Sequence, residues 1–181
     1  LMREIIRSYL TPAVTPTLGY SSFEAWRGLK MTTAEQGVNH DTTLMMGFLS
    51  QIETMRPALE ATLKRALKEG HSLILEGVHI LPNRLDLESI RADALVIPVI
   101  VATMNKEVLR KRFLKRESEH SARRASRYIA HFDDIWELQT YLLSEADETG
   151  IPIINSGNTE EAIAEILEVI SKIVVKQYGE A

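Results

Sequence analysis

Three short apolar runs, set between stretches of helical periodicity, constrain the fold of this chain more than any other feature. They are Ser72-Leu73-Ile74-Leu75, the β-branched Leu95-Val96-Ile97-Pro98-Val99-Ile100-Val101, and Ile151-Pro152-Ile153-Ile154-Asn155. Each is continuous rather than alternating, the pattern of strands covered by helices on both faces. Helices are predicted over 106–117, 127–149 and 159–178. Strand and helix therefore alternate, which predicts an α/β fold with a mainly parallel sheet.

Ahead of the first run the chain reads as helical. Residues 1–10 look like a helix, which the prolines of Thr11-Pro12 and Thr15-Pro16 end, because each disfavours helix before it. A short second helix is expected to start at Ser21 or Ser22, whose hydroxyls suit an N-cap. Over 41–69 the residues Leu44, Phe48, Ile52, Met55, Leu59, Leu63 and Leu67 recur every three or four positions, so one face of a long helix is buried. Pro57 falls inside that pattern and is expected to kink or divide the helix. Gly70 is a natural stop.

The 181 residues correspond to about one domain, and 45% apolar with 25% charged residues is ordinary globular composition. With no cysteine there is no disulfide framework, thiolate metal site or cysteine nucleophile. The longest apolar stretch, Ala94 to Met104, is short of the ~18 residues of a membrane span, and no signal-peptide order is present, so the cytoplasm is the expected compartment. The net charge of −4 excludes a generally basic nucleic-acid binder, yet it is unevenly spread. Arg110, Lys111, Arg112, Lys115, Arg116, Arg123, Arg124 and Arg127 face only Glu117 and Glu119 within 110–127, leaving that segment at +6 and the remainder at −10. The chain opens at Leu1 straight into helical sequence with no cap, which reads as sequence missing upstream.

In open α/β sheets the sites lie beyond the carboxyl ends of strands. The first run ends in Glu76-Gly77-Val78-His79. Glu76 could hold a magnesium-bound water, orient a substrate hydroxyl, or merely cap a helix, and Gly77 lets a ligand approach the backbone. His79 reads equally as a site residue or a packed one. Arg112 and Arg116, four apart, share a helix face. A short polar loop over 118–126 carrying Arg123 and Arg124 would suit a lid closing on phosphate oxygens, which the planar guanidinium binds with two parallel hydrogen bonds. The same arginines could instead grip nucleic acid. Arg3 and Arg7 share a face and could bind an anion, as could the helix start at Ser21-Ser22. Asn155, after the third run, could touch a ligand or make a turn.

Assembled in order, these pieces resemble the 2-phosphoglycerate kinase family of P-loop kinases. The matching residues are Met2-Arg3-Glu4 with Arg7, Pro16-Thr17-Leu18 leading to Ser21-Ser22-Phe23-Glu24-Ala25-Trp26, and Gly47-Phe48 with Gln51. Glu76-Gly77-Val78-His79-Ile80-Leu81-Pro82, Arg112-Phe113 with Arg116, Arg127-Tyr128, and Pro152-Ile153-Ile154-Asn155 complete them. The resemblance implies transfer of a phosphoryl group from ATP, with Mg2+, to a hydroxyl of a small phosphorylated acid such as 2-phosphoglycerate, or of another phosphorylated polyol. It implies an acceptor pocket of Arg3, Arg7, Ser21, Ser22 and His79. A lid within 110–127 would carry Arg112, Arg116 and Arg123 or Arg124, with Glu76 at the magnesium shell or acceptor and Asn155 near adenine.

The family's phosphate loop, G-x-x-x-x-G-K-S/T, does not occur in this sequence. The expectation is therefore a P-loop kinase-like three-layer sandwich, a single domain over 1–181 lacking its first two strands, with a slot open between the strands at Leu73 and Val96. Such a chain alone would be inactive and prone to self-association; membrane and nucleic-acid partners are not expected. The alternative is a non-catalytic module binding an anion or RNA through the arginine segment.

Overall fold

A computed structural model describes residues 2–9, 15–30, 37–119 and 122–179, without the side chains of 8–9, 116–119 and 122–125. The chain divides into two compact units, Leu1–Ala94 and Leu95–Ala181.

The first unit is organised by one long helix. Helix α1 spans Met2–Tyr9, and two 3-10 turns follow at Pro16–Gly19 and Ser22–Gly28. Helix α2 then runs unbroken over His40–Lys68. It begins where the Asn39 side chain accepts the Thr42 amide at 2.9 Å, satisfying one of the free donors of the first turn. It ends at Gly70, whose φ of +66° is the left-handed conformation that closes helices. Pro57 neither divides α2 nor lies on its buried face; it is exposed, where water can take the carbonyl that loses its partner.

The apolar stripe predicted for α2 is the core of this unit. Leu44, Phe48, Ile52, Met55 and Leu59 are buried, and Leu18, Met55 and Leu59 form a cluster against which Met2, Ile6, Leu75, Ile80 and Leu85 pack. Gly47 lets the Ser22–Gly28 turn lie directly on α2, since a methyl there would overlap the Trp26 amide. A short 3-10 turn at Pro82–Arg84 and the four-residue α3, Glu88–Arg91, close the unit.

The predicted strand at Ser72–Leu75 is not one: residues 71–77 form no regular element and join no ladder among the described residues. Leu73 is 45% and Ile74 94% exposed, so the apolar run is real and its cover is not.

The second unit is a small α/β layer. Strand β1, Ile100–Ala102, pairs in parallel with β2, Ile153–Asn155, in the register Ile100 to Ile153 and Ala102 to Asn155. Both are three residues long, shorter than the runs that predicted them. Parallel neighbours need a crossover, supplied by α4 (Lys106–Glu119), α5 (Ala122–Ala130) and α6 (Phe132–Thr149). The polar loop expected over 118–126 is mostly helix, because α5 begins at Ala122, and the helix expected over 127–149 breaks at His131. Phe113 meets Tyr128 and Phe132 with ring centroids 5.5 and 6.1 Å apart, joining α4 to α5 and α6. Helix α7, Thr159–Tyr178, starts with the Asn158 side chain accepting the Glu160 amide. No helix among the described residues is long and apolar enough to cross a membrane.

Candidate functional site

In the first unit a buried amide draws three distant segments together. Gln51 lies on the apolar face of α2, at 0% exposure. Its Nε2 donates to the Thr17 carbonyl at 2.6 Å and the Tyr20 carbonyl at 3.0 Å. Its Oε1 lies 2.7 Å from Nε2 of His79. Every polar atom of the side chain is thereby used, which offsets the cost of burying it.

Arg3 of α1 reaches the same turn, donating to the Tyr20 carbonyl at 3.1 Å while pairing with Glu4 at 2.8 Å. Arg7 pairs with the other oxygen of Glu4 at 2.9 Å. The hydrogen bond from Arg3 holds the Glu4 carboxyl below its usual value. Ser21, next to Tyr20, donates to Glu24 at 2.9 Å, and Glu24 also pairs with Arg27. Ser21 therefore makes no side-chain cap, and Ser22 is the half-buried first residue of the 3-10 turn.

His79 packs against Phe48, and its pKa falls from 6.5 to about 4. Burial is the main cause, and the positive charge of Arg3 acts in the same direction. The ring is thus neutral at physiological pH. Glu76, three residues earlier, is exposed and makes no hydrogen bond or ion pair among the described residues, so it caps no described helix. Gly77, with φ of 156°, turns the chain between them. Nearby in sequence terms, Thr15, Thr17, Gly28, Lys30, Ser50 and Thr54 line an open depression of about 250 Å3.

The second unit places Arg112 and Asn155 at the carboxyl ends of the two strands. Arg112 of α4 donates through Nη1 to Thr103 Oγ1 at 2.8 Å and Ser156 Oγ at 3.1 Å. Through Nη2 it donates to the carbonyls of Ser156 and Gly157. The guanidinium clasps the loops that follow β1 and β2, with Gln139 fixing the Thr103 carbonyl at 3.1 Å. Asn155 makes a turn, its Oδ1 accepting the Gly157 amide at 3.0 Å. Arg116, Arg123 and Arg124 have side chains outside the described set. Arg116 belongs to α4 and the other two to α5, so Arg123 and Arg124 are on a helix and not on the expected loop.

The structure therefore joins Arg3, Arg7 and His79 around the Tyr20–Ser21 turn, through Glu4 and Gln51, and separately joins Arg112 to the residues after Asn155. Gln51 had no role assigned from sequence, although a signal existed: it falls three residues after Phe48 and seven after Leu44, a polar residue on an apolar helix face. Among the described residues no group of three or more His, Asp or Glu is placed to hold a metal.

The chain thus mixes helix with a small parallel sheet, an arrangement compatible with an α/β fold, and in its second unit Arg112 lies at the strand ends. Its relatives name a chemistry. The chain is similar to "2-phosphoglycerate kinase" of Pyrococcus furiosus, 33% identical over 177 residues, covering 97% of this chain and 54% of that protein. The protein of the same name from Pyrococcus horikoshii is 31% identical over 175 residues, with shares of 97% and 54%. That from Methanopyrus kandleri is 31% identical over 176 residues, with shares of 97% and 52%. The resemblance expected from the motifs is thus found along nearly the whole chain, which spans about half the length of the curated relatives it matches. No family model matches the chain. No solved structure matches it significantly.

Proposed function

We propose that this chain is the acceptor-binding part of an ATP-dependent kinase that phosphorylates a hydroxyl of 2-phosphoglycerate, giving 2,3-bisphosphoglycerate. The observation that carries the reading is the likeness, over 97% of this chain, to archaeal proteins named 2-phosphoglycerate kinase. The polar set of the first unit suits such an acceptor. Arg3 and Arg7 supply cationic charge for a carboxylate or phosphate, and Ser21, Ser22 and the neutral His79 supply uncharged hydrogen-bonding groups beside them. In the reaction the acceptor oxygen attacks the γ-phosphorus, the bond from that phosphorus to the β–γ bridging oxygen breaks, ADP leaves, and the hydroxyl proton passes to solvent.

In this reading Glu76, exposed three residues before His79, serves the magnesium shell or orients that hydroxyl. Magnesium would neutralise charge on the triphosphate. A single carboxylate does not form a metal centre, so the described residues do not hold the ion by themselves. The 181 residues contain no phosphate loop, and in this reading the triphosphate is cradled by a P-loop sandwich whose remaining strands cover Leu73–Leu75. Arg116, Arg123 and Arg124 would serve as the phosphate-facing arginines, while Arg112 braces the loop beyond Asn155 on the adenine side. The RNA-binding alternative has no comparable likeness behind it.

Calorimetry on the 181-residue chain tests the reading. Binding of 2-phosphoglycerate, weakened about tenfold or more in Arg3→Ala, is expected, since a charge-assisted contact is worth roughly 1.5–3 kcal/mol. ATP with magnesium should bind weakly or not at all. Failure to bind 2-phosphoglycerate beside tight, salt-dependent binding of RNA would overturn the kinase reading.

A further inference from the structure

We infer that Gln51 is a positioning residue that fixes His79 as the Nε2–H tautomer, leaving Nδ1 as a hydrogen-bond acceptor for the hydroxyl of an anionic ligand beside Arg3. The inference deepens the acceptor reading above and rests on it for the ligand, but the tautomer follows from geometry alone.

The amide of Gln51 has one orientation available. Its nitrogen faces two carbonyl oxygens, of Thr17 at 2.6 Å and Tyr20 at 3.0 Å, and a carbonyl can only accept. Rotating the amide by half a turn would set Oε1 against both. Oε1 must therefore be the atom 2.7 Å from His79 Nε2, and since Oε1 also only accepts, Nε2 must carry the proton. A neutral imidazole has one N–H, so Nδ1 is bare. Nδ1 makes no hydrogen bond among the described residues, and it is not sealed from solvent as a buried orphan.

Two further contacts preserve that state. The ring is packed against Phe48 with centroids 5.8 Å apart, which fixes its plane. Arg3, whose Nη1 shares the Tyr20 carbonyl with Gln51, places positive charge near the ring and opposes a second proton. An acceptor at Nδ1, and a cation held on the same Tyr20 carbonyl as Gln51, select a ligand that carries both a hydroxyl and an anionic group. An acid of the same shape without the hydroxyl would lack the partner for Nδ1. Burying three hydrogen bonds would also stabilise the fold, so a test has to read the tautomer and the ligand directly.

Long-range proton–nitrogen correlation spectra of the 15N-labelled chain, with His79 assigned by its loss in His79→Gln, report which ring nitrogen is protonated. The expected result is a protonated Nε2 and a bare Nδ1 from pH 8 to pH 5.5, and a mixture of tautomers in Gln51→Met. A protonated Nδ1 in the wild type, or an unchanged tautomer in Gln51→Met, would overturn the role of Gln51. The wild-type spectrum alone can do so, whether or not the Met variant folds. For the ligand, wild type is expected to bind 2-phosphoglycerate about tenfold more tightly than 2-phospholactate, which lacks the terminal hydroxyl, the worth of one neutral hydrogen bond. Gln51→Met should lose most of that preference while keeping its affinity for 2-phospholactate. Equal affinities in the wild type would overturn the hydroxyl contact. Binding of neither acid would remove the proposed acceptor and the contact with it, while the nitrogen spectrum still decides the tautomer.

Discussion

The two units of this chain use the same kinds of residue and reach different degrees of closure. In the first, the largest fully buried side chains of the described residues, Phe48, Leu18, Leu44, Ile52, Leu81 and Gln51, gather around α2. In the second, two three-residue strands are held by the Arg112 clasp and by small or isolated buried groups, Ala102, Phe132, Leu138, Ala146, Ile154 and Ala162. Helix α7 has only Ala162 buried and leaves Ile163, Leu167, Val174, Val175 and Tyr178 exposed. One long amphipathic helix with short turns folded onto it can close a core within 94 residues. A parallel pair of strands cannot, because its helices need more sheet to lie on.

The sharpest way to break that contrast is to truncate the same residue type in both places. Leu59→Ala, at 2% exposure, is expected to cost about 2–5 kcal/mol by lost transfer and a cavity. Leu167→Ala, at 59% exposure, should fall within about 0.5 kcal/mol of zero. Urea unfolding followed by circular dichroism reads both, and equal losses would show that α7 is covered in solution.

Acid offers a second handle on the first unit. His79 is buried with its pKa lowered to about 4 from 6.5, so the unfolded chain takes up a proton there before the folded chain does. Stability is therefore full above about pH 6.5 and is lost as the pH falls towards 4. The wild type should lose about 2–3 kcal/mol more than His79→Gln between pH 7 and pH 4.5, in urea midpoints taken at each pH. Parallel losses in the two proteins would mean that the ring is not buried as described.

The smallest expected effect tests the clasp. Arg112→Met leaves the carbonyls of Ser156 and Gly157 without their donor, at a cost of about 1–2 kcal/mol because the site is half-buried. Arg112→Lys should recover part of it, since an ammonium cannot span both loops as a planar fork does. An unchanged midpoint in Arg112→Met would free this arginine for phosphate contact.

Much of this was legible in the sequence. The period of three and four along α2 gave its buried face, Gly70 its end, and the β-branched run its place in a parallel pair. Three features were misread, each for a physical reason. Pro57 suggested a break, but a proline on the solvent side of a long helix loses one hydrogen bond that water replaces. Ser72–Leu75 has strand chemistry, yet a strand exists only when a neighbour supplies the ladder, and the described residues supply none. Residues 118–126 looked like loop because they are polar, whereas arginine and alanine are good helix formers and Ala122–Ala130 follows that propensity. In the candidate site, the types and positions of Arg3, Arg7 and His79 could be read, but the links among them could not. Gln51 meets Thr17 and His79 across intervals of 34 and 28 residues, distances over which sequence periodicity says nothing.

The exposed side chains of Leu73 and Ile74 have a consequence for affinity. The favourable free energy of covering Ile74 remains available to whatever strand arrives. Full burial of one such side chain is worth roughly 1.5–3 kcal/mol, a factor of about ten to a hundred in a dissociation constant. An extended segment that docks here would therefore owe much of its residence time to a single isoleucine.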